Sequence, residues 1–168
     1  YKDFEKTKSI HSRFANAEFV GTSLRAAHMK YCNFTNCKFS GVDFIGTNLR
    51  GSNFTGARFI KCIFVSAVLD KANFRGAVFE NCYMLGNLLS KSKNVPQDNA
   101  RIKIVDNNLA TVDISEELAN VIQSLRENDI VRRSHTLHGK NNKINLLSVM
   151  ILKETYSEDE LIKLLPMI

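Results

Sequence analysis

The sequence predicts a mainly β solenoid, a phenylalanine-cored β-helix over residues 4–89, followed by a C-terminal α+β segment. Three observations predict it. Stepping by five from Phe4 to Leu89 visits 18 positions; 17 are Phe, Leu or Met, Ser9 is the exception, and all 11 phenylalanines fall in this register. A small side chain stands two residues before most centres, from Ala17, Thr22 and Ala27 to Ala77 and Cys82, and all four cysteines lie there. Seven of the eight glycines, Gly21, Gly41, Gly46, Gly51, Gly56, Gly76 and Gly86, stand two residues after a centre.

Neither regular element alone accommodates this period. Residues five apart on an α-helix are rotated away from one another. On a flat strand side chains alternate with period two, so an odd repeat would flip each Phe from inside to outside. The chain must turn a corner once per repeat, with the small residue and the Phe both inward and the residues beside the Phe outward. The glycine slot is the corner, where a residue without Cβ turns most cheaply.

Segments such as Ala72-Asn73-Phe74-Arg75-Gly76 and Ala57-Arg58-Phe59-Ile60-Lys61 resemble the pentapeptide-repeat family, with its consensus A-(D/N)-(L/F)-X-X. The resemblance covers just over half of the chain. It implies a right-handed, four-sided β-helix of about 20 residues per coil, with rungs about 4.8 Å apart. Four faces then give four inward ladders: Phe4-Leu24-Phe44-Phe64-Met84, Met29-Leu49-Leu69-Leu89, Phe14-Phe34-Phe54-Phe74 and Phe19-Phe39-Phe59-Phe79. Burying each such side chain is worth about 1.5–3 kcal/mol. An interior filled in this way leaves no room for a ligand cavity or a metal site.

Function must then lie outside. The net charge of +6 is unevenly spread: residues 1–94 hold 14 Lys/Arg against 6 Asp/Glu, and residues 95–168 hold 9 against 11. The face of the Met29-Leu49-Leu69 ladder displays Lys8, Lys30, Arg50, Lys71 and Lys91 with His11 and His28, opposed by Asp70. Such a basic interaction face attracts nucleic acid, an acidic protein or an anionic surface through a sequence-independent field. The plainer alternative is a solubilising surface. The face of Phe44-Phe64-Met84 instead shows Ile45, Ile63, Val65, Tyr83 and Leu85, an apolar docking stripe that should be covered. The chain's own tail is the first candidate; a partner or a second copy, giving a homodimer, is the alternative.

After Leu89 the register fails at Asn94, and Ser90 to Pro96 reads as the exit, which places a domain boundary between residues 1–94 and 95–168. Arg101–Val105 and Leu109–Ile114, separated by Asp106-Asn107-Asn108, read as a short hairpin. Ser115 caps a helix from Glu116 to about Glu127, with Leu118, Val121, Ile122 and Leu125 on one face. Asn142 starts another helix to about Lys153. Ser157 with Glu160 forms a capping box for Glu158 to Leu165, closed by Pro166. The hairpin and helices are expected to pack on the end or a side of the solenoid, hiding its edges.

Chemistry is conspicuous by the lack of a pattern for it. The cysteine spacings of 5, 25 and 20 match neither C-x-x-C nor a zinc pattern. Cys62 and Cys82 share a face on successive coils, but stacked parallel side chains point the same way, so free buried thiols in a reducing, cytoplasmic compartment are expected. His135 and His138 form H-x-x-H without a carboxylate or cysteine nearby, and read as exposed loop or strand histidines. The glycines recur as corners rather than as a phosphate loop. No apolar run reaches the roughly 18 residues of a membrane span, and the opening Tyr-Lys-Asp-Phe reads as a trimmed or fragmentary start.

The expected function is therefore a non-enzymatic scaffold for macromolecular interaction, with a protein as the leading partner and neither metal nor cofactor. The family resemblance implies one alternative, a DNA mimic that binds gyrase and protects it from quinolones, which requires an acidic rod and fits a basic one poorly. The other is direct binding of nucleic acid or an anionic surface by the basic face. An enzyme would need activity sensitive to His135 or His138.

Overall fold

The computed structural model of the chain describes residues 2–86, 88–96, 102–105, 112–134, 136–139, 141 and 143–168. The chain divides into two units, Tyr1–Asn107 and Asn108–Ile168.

The first unit is a parallel β-solenoid of about four turns. Its short strands are β1 (Lys2–Asp3), β2 (Glu18–Val20), β3 (Thr22–Ser23), β4 (Lys38–Ser40), β5 (Arg58–Ile60), β6 (Ile63–Val65), β7 (Val78–Glu80), β8 (Cys82–Leu85) and β9 (Ile102–Val105). All pairings are parallel, in sheets β1-β3, β2-β4-β5-β7 and β6-β8-β9. The register is one coil of 20 residues throughout, as in Phe19↔Phe39↔Phe59↔Phe79. The other two faces keep it through single bridges, Lys8↔His28↔Asn48↔Val68 and Arg13↔Asn33↔Asn53↔Asn73↔Lys93. Backbone groups are satisfied between coils: the Phe34 amide donates to the Asn53 carbonyl at 2.8 Å, and the Asn53 amide donates to the Cys32 carbonyl at 2.9 Å.

The four ladders lie inside as expected. Phe34, Phe39, Phe44, Phe54, Phe59, Phe64 and Phe74 are completely buried, with Leu24, Met29, Leu49, Leu69 and Met84 beside them. Only the N-terminal members Phe4 and Phe14 are partly buried. Rings one coil apart stack face to face, Phe44–Phe64 at 4.6 Å and 2° and Phe34–Phe54 at 5.1 Å and 4°. Rings on adjacent faces meet edge-on, Phe34–Phe39 at 5.7 Å and 64°. Each ring thus offers its edge to a neighbour's face, the arrangement the ring quadrupole favours, worth about 0.5–1.5 kcal/mol per pair beyond burial.

The small inner residues do more than leave room. Thr47 Oγ1 donates to the Leu24 carbonyl at 2.7 Å, Ser52 Oγ to Met29 at 2.8 Å, and Ser92 Oγ to Leu69 at 2.9 Å. Cys37, Cys62 and Cys82 direct their thiols to the carbonyls of Phe14, Phe39 and Phe59 in the same relation. Each of these bonds joins residues 23 apart, from one coil to the coil before it, so buried polarity is matched between coils. Every corner from Lys6 to Gly86, in steps of five, has a positive φ. Ten of those corners are not glycine, so the parallel ladders impose a conformation that the local sequence alone disfavours.

The solenoid runs further than the exit expected at residue 94. Lys93 still pairs with Asn73, and β9 adds a rung above β8, with Cys82↔Ile102 and Met84↔Ile104 in the same 20-residue register. The expected hairpin is therefore corrected: Ile102–Val105 pairs in parallel with β8, and Ile102 takes the buried inner slot that Cys82 holds one coil earlier. The turn expected at 106–108, and Arg101, lie outside the described residues; of the second arm, residues 112–114 form no strand.

The second unit is helical: α1 (Glu116–Ser124), α2 (Asp129–Ser134), α3 (Leu146–Lys153) and α4 (Glu158–Leu164). Ser115 caps α1 by accepting the Leu118 amide, and a 3₁₀ turn continues it through Glu127. Ser157 and Glu160 form the full capping box of α4. The third helix begins at Leu146, capped by Asn145, not at residue 142, which lies outside the described residues. The short α2 was not expected from the sequence. Leu118, Ile122, Leu125, Val131, Leu137, Val149, Leu161 and Leu165 are buried together as this unit's own core.

Candidate interaction surface

The corner and outward slots of the Met29-Leu49-Leu69 face carry the basic strip. Lys8, Arg50, Lys71 and Lys91 are exposed and Lys30 is half-buried. Lys8 and His28 are bridged neighbours on successive coils, Lys30 and Arg50 occupy equivalent slots one coil apart, and the Lys71 amide donates to the Lys91 carbonyl at 2.8 Å. Among the described residues none of these five cations is in an ion pair. Elsewhere on the solenoid Arg25 binds Asp43 at 2.8 Å and lies 3.9 Å from Glu5, and Arg58 binds Glu80 at 2.7 Å, whereas the exposed Arg13, Lys38, Lys61 and Arg75, scattered over other faces, are like the strip cations in no ion pair among the described residues. What sets the strip apart is that its unpaired cations are gathered on one face, where their fields add.

A residue missing from the sequence-derived strip belongs to it. Tyr31 occupies a corner with φ 56° and is 47% exposed. Its ring stacks on His11, one coil earlier, at 5.1 Å and 11°. On the other side it lies across Gly51, where a Cβ would come within 2.5 Å of the ring. Gly51 is therefore required twice, by its φ of 68° and by the tyrosine. The signal was available in the corner slots 11, 31 and 51, which are one coil apart.

The apolar stripe is also assembled as a surface. Ile63 pairs with Tyr83 and Val65 with Leu85 on neighbouring rungs, and these four, with Ile45, are half-buried. The added rung brings Lys103, whose ammonium sits 5.3 Å from the centre of the Tyr83 ring and 3.5 Å from its hydroxyl.

The groups considered for chemistry have structural surroundings. All four cysteines are free and buried, and burial pushes the thiols of Cys32, Cys37 and most of all Cys62 up, away from the reactive thiolate. His138 is buried rather than exposed, and its Nε2 donates to the Ile122 carbonyl at 2.9 Å, tying the 136–139 segment to α1. His135 lies outside the described residues. Among the described residues no cluster of three or more His, Cys, Asp or Glu is placed to hold a metal ion, and no helix is long and apolar enough to cross a membrane.

Two family models, both described as pentapeptide repeats, match the chain, one at residues 10–41 and 17–56 and the other at 44–86. Searching the curated proteins returns no match. Among solved structures the chain is similar to HetL, a pentapeptide repeat protein involved in heterocyst differentiation regulation in the cyanobacterium Nostoc, at 22% identity over 54% of this chain and 42% of that one, with a TM-score of 0.46. It is similar to Rfr23 from the cyanobacterium Cyanothece at 16% identity over 62% and 88%, with a TM-score of 0.48. A third is a trypsin-treated form of QnrB1, a plasmid-mediated fluoroquinolone resistance protein, at 23% identity over 49% and 46%, with a TM-score of 0.38. The chain spans under half the length of HetL and of that form of QnrB1. With their five-residue repeat, their 20-residue coils and the matched models, residues 10–86 of this chain are pentapeptide repeats.

Proposed function

We propose that the protein is a non-enzymatic interaction scaffold whose solenoid presents its basic strip to a macromolecular partner. The observation that carries this reading is the division of labour in the solenoid: every inner slot from Leu24 to Met84 is occupied by a buried side chain, while five cations are gathered on one face with no ion pair among the described residues. Side chains held on rungs about 4.8 Å apart form a preorganised array, which lowers the ordering entropy of binding. The free, buried thiols fit a reducing compartment such as the cytoplasm. The strip's uncompensated cations make the acidic, DNA-imitating alternative a poor fit.

Capture of partners from native lysate tests the reading, with the wild-type chain compared with the charge reversal Lys30→Glu, Arg50→Glu, Lys71→Glu. All three are surface positions, so the variant should fold. Loss of the captured partner is expected; full retention discards the strip as the binding surface.

A further inference from the structure

One edge of the solenoid narrows the partner's chemistry. Residues His11, Tyr31, Gly51, Lys71 and Lys91 follow one another up this edge, one coil apart. The first four are left-handed corners with φ between 58° and 68° except Tyr31 at 56°. At the lower end the edge holds the stacked His11–Tyr31 pair, lodged against the bare backbone of Gly51. At the upper end it holds two exposed lysines, and the outward slots beside it hold Lys30 and Arg50. A large aromatic ring held in water between a histidine and a glycine contributes nothing to the solenoid's core.

We propose that this edge binds single-stranded nucleic acid, with phosphates along Lys30, Arg50, Lys71 and Lys91 and an unpaired base against the His11–Tyr31 pair. This rests on the scaffold reading above and specifies its partner. Exposed aromatic rings beside a track of cations are what single strands need, since every base has a face to stack and every linkage a charge. An acidic peptide would use the cations and leave the rings idle. Duplex bases are already stacked, and a side of a rod offers no helix or ribbon to enter a groove. Five rungs at roughly 4.8 Å give a track of about 19 Å, or on the order of five nucleotides at the stacked rise of roughly 3.4 Å. Asp70, beside Lys71, is the acidic residue in this track, so the mechanism makes it unfavourable.

The test uses the purified full chain and fluorescence anisotropy with a labelled uridine oligomer, the matching thymidine oligomer, a duplex of equal length, and a polyglutamate competitor. Binding to either single strand, weaker binding to duplex and poor competition by polyglutamate are expected; the preference between uridine and thymidine tells RNA from DNA. Lys30→Gln, Arg50→Gln, Lys71→Gln should lower the salt dependence by roughly one slope unit per cation removed. Tyr31→Gly places the cheapest residue at a left-handed corner, so the fold is kept, and it should weaken binding about tenfold without changing the salt slope. Tyr31→Phe should bind as wild type, and Asp70→Asn more tightly. Equal binding by duplex or full competition by polyglutamate overturns the proposal, as does Tyr31→Gly binding like wild type. If neither single strand binds but lysate capture after nuclease digestion still depends on the strip, the nucleic-acid proposal falls and the scaffold reading stands. If capture is also insensitive to the strip, both fall.

Discussion

The two units solve the same problem of burying apolar side chains in opposite ways. In the solenoid each buried residue is one member of a column, held by side chains of the equivalent slots one coil away, and the backbone is paired between coils. In the helical unit every buried side chain has different neighbours, and each helix closes its backbone internally, with Ser115, Asn145 and Ser157 capping the ends. Repetition makes the solenoid's stability a sum of equivalent interfaces. The helical unit depends on a few caps and a small core of eight buried residues.

The contrast is broken most severely by cutting a column. Phe54→Ala removes a ring stacked between Phe34 and Phe74, and should cost about 3–5 kcal/mol. Hydrogen exchange should show lost protection on the rungs around Phe34, Phe54 and Phe74 while amides of α1 keep theirs. Equal loss in both units would mean they do not behave as separate cores. Gly51→Ala is next: strain at a positive φ adds to displacement of the Tyr31 ring, for a loss of about 1–2 kcal/mol in thermal or denaturant melting. A neutral result would show that the ring is not held there.

In the helical unit Ser157→Ala should cost about 1 kcal/mol, read as faster exchange in α4 with the solenoid rungs unchanged. The smallest effect is one of pH. The Lys153 ammonium, with Ser115, holds the Glu158 carboxyl at about 2, below the usual 4.5. A carboxyl depressed in the folded state stabilises it above about 4.5, and that contribution is lost as the pH falls towards 2. Lys153→Met should flatten the acid destabilisation of the helical unit across that window; an unchanged profile would remove this pair from the account.

The solenoid was legible because its period is odd and strict: Phe34, Phe54 and Phe74 in one register admit neither a helix nor a flat strand. The corner conformation was legible as a slot, but Tyr31, Lys61 and Asn81 do not individually announce a positive φ; the pairing of coils enforces it. The extra rung was missed because the centre slots at 94 and 99 hold asparagine, two failures in succession, before Ile104 returns to register. In the helical unit the caps were readable from single residues, whereas the six-residue α2 is too short to show a period. It is started by Asn128, whose side chain accepts the amides of Ile130 and Val131. For the surface, the strip cations could be assigned to a face by counting, but the lack of counter-ions and the His11–Tyr31 stack depend on side-chain geometry.

On the reading proposed above, one face, and not net positive charge, recognises the partner. The most direct test of that reading is to compare two charge reversals of equal size: Lys30, Arg50 and Lys71 on the strip, and Lys38, Lys61 and Arg75, which are exposed on other parts of the solenoid. Each triple is changed to Glu, checked for an unaltered melting temperature, and measured for partner capture from native lysate. The account predicts loss for the strip triple and retention for the other. Equal loss in both, or retention in both, contradicts it.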